Sequence, residues 1–206
     1  MMRRLRTIVL IISAMAFAVV GGVAVASVLL PTPPSLVGQE ASEPAGTTSV
    51  LGPVVADPDG GRDWTVRTYA SKTNWTCAEA GRTDGKSFGQ VGPDDTFRPL
   101  ELPELGSCAD VEKDDFALWV NHYPAAGDNE AHAVIFGAVS TEVGSVALTL
   151  DGSTKELPVT RGAFIDALPE SSIAGAVLTV TFADGSTHDT KLRPSSQPNT
   201  APPATG

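Results

Sequence analysis

An uncharged apolar run near the N-terminus constrains this chain of 206 residues more than any other feature. Arg3, Arg4 and Arg6 precede residues 7–30, a stretch of 24 residues that are all Ile, Val, Leu, Ala, Gly, Met or Phe except Thr7 and two serines. A bilayer's hydrocarbon core, about 30 Å thick, is crossed by about 20 helical residues, so the run is long enough to span it. The arginines flank its N-terminal side, and the positive-inside rule then leaves the first six residues in the cytoplasm and the rest of the chain outside. The expectation is a cytoplasmic stub over 1–6 and a single transmembrane helix or signal-anchor over 7–30. A cleaved secretory signal competes with it, because Ala24-Val25-Ala26 has the A-x-A form and cutting after Ala26 would release a secreted protein. The run exceeds the usual h-region of about 7–15 residues and continues through Val28, Leu29 and Leu30, which favours retention at the cell membrane. Both routes export the chain beyond residue 30.

Charge narrows the partners of the exported part. All 24 acidic residues lie beyond position 39, against 11 of the 14 Lys and Arg, which leaves −13. Nucleic acid is excluded as a partner, since its recognition needs a basic footprint. Docking on anionic headgroups is disfavoured for the same reason. Two cysteines, Cys77 and Cys108, both lie in the exported part. An even count in an oxidising compartment predicts one disulfide between them.

Residues 31–56 read as a Pro/Ser-rich linker, with Pro31, Pro33, Pro34, Pro44 and Pro53 among Ser, Thr, Gly and Glu. Residues 194–206 read as a disordered tail of similar composition. Between them, residues 57–193 read as one extracytoplasmic β domain. Strands are predicted over 64–69, 74–80, 86–91, 116–120, 133–139, 145–150, 153–159, 163–168, 177–182 and 186–192, with Asp84-Gly85, Asp151-Gly152 and Asp184-Gly185 as hairpin turns. Pro158 and Pro99 assign their segments to edges or loops. One helical turn is predicted over 107–113, capped by Ser107. Short strands with turn signals every 8–12 residues or so fit an all-β fold. The expected architecture is a β-sandwich, immunoglobulin-like in layout but without the Cys…Trp…Cys spacing of a true immunoglobulin domain.

The chemistry-bearing residues are sparse. His122, Glu130 and His132 form the one candidate metal set: two of them share a strand face, and a hairpin around Gly127 could bring His122 to them, giving three ligands and an open position for zinc. No HExxH and no G-x-S-x-G elbow occurs in the sequence. Asp57, Asp59 and Asp63 could supply oxygen ligands to calcium, but the distal Glu of the usual loop is missing, and a turn into the domain is the simpler reading. The paired acids Asp94-Asp95 and Asp114-Asp115 sit in polar loops, where carboxylates stay solvated. Among the aromatics, Trp64, Trp75 and Trp119 suit the core. Trp75 and Tyr123 are the candidate ligand contacts, with Tyr123-Pro124 at a strand end. The functional expectation is a membrane-anchored, noncatalytic binding or interaction module of the bacterial cell envelope, needing no cofactor and meeting an envelope protein or wall glycan. The alternative is a small envelope hydrolase or metal-dependent enzyme using His122, Glu130 and His132.

Overall fold

The computed structural model describes residues 43–92, 94–103, 106–124 and 130–194. The predicted cytoplasmic stub over 1–6, the membrane helix over 7–30, the linker up to residue 42 and the predicted 194–206 tail beyond Pro194 lie outside the described residues. Among the described residues no helix is long and apolar enough to cross a membrane. The fold is nearly all β, and every named strand pairing is antiparallel.

Among the described residues thirteen strands form three sheets. The first sheet runs β1 (Val50–Val55), β2 (Trp64–Ala70), β3 (Thr76–Thr83), β4 (Phe88–Val91) and β5 (Phe97–Pro99), with β6 (Ser107–Ala109) also paired to β3. The second has the order β11 (Ala163–Pro169), β8 (His132–Val139) and β7 (Phe116–Tyr123). The third has the order β10 (Ser153–Leu157), β9 (Val143–Leu150), β12 (Val177–Phe182) and β13 (Thr187–Lys191). A single turn of helix, α1 (Val111–Asp114), precedes β7.

Among the described residues the second sheet is the middle layer. Every residue of β8 is buried, because alternate side chains enter two different cores. Ala133, Ile135 and Val139 pack with Val146, Leu148, Leu178 and Val180 of the third sheet. Val134 and Phe136 pack with Trp64, Val66 and Ala78 of the first. β11 does the same: Phe164 and Leu168 face the third sheet, whereas Ala163 and Ile165 face the first. An ordinary sandwich has one such core between two sheets; here a central sheet supplies two. Lys155 of β10 also reaches Asp166 of β11 at 2.9 Å, tying the third sheet to the middle one.

Close approach in the middle layer dictates Gly137. A Cβ there would lie 2.2 Å from the Ala117 carbonyl oxygen and 2.4 Å from the Phe164 ring. Backbone on one side and a buried ring on the other leave no room to relax. Gly137→Ala is therefore expected to destabilise the protein by about 1–3 kcal/mol or more, read as a lowered urea midpoint with an unchanged slope. At Asp151-Gly152 both residues have positive φ, 47° and 80°, as the predicted primed hairpin turn requires.

Three local expectations meet the structure differently. β1 lies within the segment read as linker: Gly52-Pro53 hides the strand pattern, and the structure accommodates it at a sheet edge with a register shift between Leu51 and Val54. Ser107 does not cap a helix. Residues 107–109 instead extend along β3, with Cys108 opposite Cys77, and the helical turn starts at Val111 with Asp110 at its N-cap. Pro158 does mark an edge, since β10 is the outer strand of its sheet and ends at Leu157.

Candidate functional site

The β7–β8 register decides the fate of the predicted metal set. Tyr123 lies opposite His132, and His122 opposite Ala133. Residues opposite one another share a sheet face and neighbours along a strand do not. His122 and His132 therefore project from opposite faces of the middle sheet. His122 Nδ1 is 2.8 and 3.0 Å from the two carboxylate oxygens of Glu170. His132 is buried on the other face, and Glu130 is exposed. No shared ligand set forms from these three, and among the described residues no group of three or more His, Cys, Asp and Glu could hold a metal ion.

His132 instead joins an aromatic cluster. Its ring stacks on Tyr123, with centroids 5.2 Å apart and planes 12° from parallel, and meets the edge of Trp64 at 5.5 Å. Trp64 and Tyr123 are themselves 4.8 Å apart. The Arg82 guanidinium lies over the Trp64 ring at 3.6 Å and pairs with the buried carboxylate of Asp57. Burial raises the Tyr123 phenol above its ordinary range. The carboxylate of Asp59 stops 3.6 Å from His132 Nδ1, beyond hydrogen-bonding distance. Asp57, weighed as a calcium ligand against a turn into the domain, is thus used by Arg82. It also accepts the Asp59 N–H at 3.2 Å, forming a turn into β2. Tyr123, read as an exposed contact, is packed.

On the outer face of the first sheet, Arg67 is 1% exposed. Its Nε and Nη2 donate to Glu79 Oε2 at 3.0 and 2.8 Å. Nη1 donates to the Leu100 carbonyl at 2.8 Å and Nη2 to that of Leu102 at 2.7 Å. Phe88 lies under the guanidinium at 4.1 Å. Beside it, the Tyr69 hydroxyl accepts the Gly106 N–H at 2.8 Å, and burial raises the Tyr69 phenol. These groups hold the strap, described over 97–103 and at 106, against the sheet. Sequence reading misses them. The only signal is an Arg and a Glu placed symmetrically about a turn, and it becomes legible once the β2–β3 register sets Arg67 opposite Glu79.

Cys77 and Cys108 are joined as a disulfide, across facing positions of β3 and β6. Trp75 lies in the turn before β3 and is 38% exposed, where a core position is the simpler expectation for an indole. Its backbone is fixed: its N–H donates to Ser71 Oγ at 3.1 Å, and its carbonyl accepts the Ser71 N–H at 2.9 Å. Trp75 therefore presents part of an indole on a turn fixed by Ser71, the same turn that carries the exposed Lys72, which pairs with Glu43. A flat π surface held this way can stack on a sugar ring or fill a partner's apolar pocket. Of the two predicted contacts, Trp75 is the accessible one. Comparison with protein-family models, with curated proteins and with solved structures finds no match to this chain.

Proposed function

We propose that the protein is a noncatalytic binding or interaction module of the bacterial cell envelope, anchored in the membrane by residues 7–30 and presented outside the cytoplasm. Its partner is an envelope protein or wall glycan, met at the Trp75 turn. The observation that carries the reading is the Cys77–Cys108 disulfide: such bonds persist in oxidising compartments, and the arginine-flanked apolar run would deliver the domain to one. Within this reading the immunoglobulin-like sandwich describes each of the two face-to-face sheet pairings, with the middle sheet common to both.

The test is crosslinking of the tagged full-length protein in native membranes, followed by mass spectrometry of what is retained. The expected result is a stoichiometric envelope partner or enriched wall fragments, with retention reduced at least about tenfold by Trp75→Ala, as for an aromatic hot spot. Stoichiometric zinc in the purified protein, lost on His132→Ala, together with no enriched partner, would overturn the noncatalytic reading.

A further inference from the structure

The sheet edges differ in how they are closed to pairing. Natural edges are blunted by proline, lysine, charge or bulges. β1 has Pro53 and a register shift, β5 has Arg98 and Pro99, β10 has Lys155 and is followed by Pro158, and β13 has Asp189 and Lys191. β11 ends in Pro169 and carries Asp166. β7, Phe-Ala-Leu-Trp-Val-Asn-His-Tyr, has none of these: no proline, no Lys or Asp, and an unbroken register along its eight residues. All of its side chains except that of Asn121 are half-buried.

The phase of its hydrogen bonds can be read out. Ser140 N–H donates to the Asp115 carbonyl at 2.7 Å, so Phe116 and Val139 are a non-hydrogen-bonded pair. Alternation then turns the main-chain groups of Ala117, Trp119, Asn121 and Tyr123 toward β8, and those of Phe116, Leu118, Val120 and His122 outward. Among the described residues these outward N–H and C=O groups have no backbone partner.

We propose that β7 pairs with β7 of a second copy, antiparallel about a two-fold axis at Trp119. This register is self-complementary. Phe116 faces His122 of the other copy and Leu118 faces Val120, so all four outward residues make reciprocal hydrogen-bonded pairs. Trp119 meets its own counterpart in a non-hydrogen-bonded pair, the closer geometry that favours aromatic contacts. The strand itself has no carboxylate or ammonium, so the acidic domains meet at an edge where like charges need not face each other. The middle sheets of two copies then form one continuous sheet, and the proposal does not depend on the membrane anchor.

The full-length protein, in detergent and across micromolar concentrations, is expected to sediment as a monomer–dimer equilibrium. Val120→Pro removes an outward N–H and leaves the β8 ladder intact, so it should weaken dimerisation by about tenfold or more while the far-ultraviolet spectrum stays unchanged. Ala117→Cys with Asn121→Cys places thiols on facing residues of the two copies. Oxidation should give a covalent dimer from the double variant and not from either single one. This second readout stands even where the proline variant fails to fold. A monomer at all concentrations, a dimer indifferent to Val120→Pro, or equal crosslinking by the single variants would overturn the proposal. So would a monomer that pairs only with an added extended peptide.

Discussion

Arg67→Met is expected to cost about 3–5 kcal/mol of stability, the cost of leaving one member of a buried ion pair without its partner. That is a large share of the roughly 5–15 kcal/mol that holds a domain folded. The reason is local and specific. Glu79 is buried and would be left with no cation beside it, and the carbonyls of Leu100 and Leu102 would lose their donors. Methionine restores most of the volume over Phe88, so the loss isolates the polar groups rather than packing. Urea denaturation gives the magnitude. Hydrogen exchange gives the location: strap residues 97–103 and 106 should exchange faster, while β8 exchanges only with global unfolding. Adding Glu79→Leu should recover part of the loss, since the two changes share one network. A single-variant cost under about 1 kcal/mol would mean that water reaches the pair and that the clamp contributes little.

Removing the disulfide comes next in size. Cys77 and Cys108 are 31 positions apart, and closing such a loop stabilises by about 3–4 kcal/mol in the chain-entropy model. Cys77→Ala with Cys108→Ala should lower the thermal midpoint by on the order of 10 °C for a domain of this size. The bond fixes β6 to β3, and so fixes the far end of the segment whose middle Arg67 clamps. The two devices hold one strap at two points, and their removal should be non-additive. An unchanged midpoint after complete reduction would contradict this account of the strap.

The strands are largely legible in the sequence, and their layering is not. Alternation locates β2, β9 and β12, and Asp-Gly pairs locate the hairpins, because period two and positive-φ turns are local properties. The three-sheet arrangement depends on which faces are covered. One signal is present: residues 132–139 contain an unbroken apolar run rather than an alternating one, as expected of a strand buried on both faces. β1 is hidden by Gly52-Pro53, and β6 by residues whose pairing is set by a cysteine 31 positions away. The disulfide follows from counting. The histidine set fails for a physical reason, since one step of register sends His122 to the opposite face from His132. Trp75 and Tyr123 differ in exposure because access at a strand end depends on what the neighbouring layer covers. Here Trp64 and His132 cover Tyr123.

Membrane attachment with an oxidised domain on the far side is the core of the functional proposal, and a single gel addresses it. Membranes from cells producing the full-length protein are washed with alkaline carbonate. They are then treated with a polyethylene-glycol maleimide with and without prior reduction. The account predicts a carbonate-resistant protein that gains no mass without reductant and the mass of two adducts after it, one on each of Cys77 and Cys108. A protein released by the wash, with both thiols reactive before reduction, would contradict it.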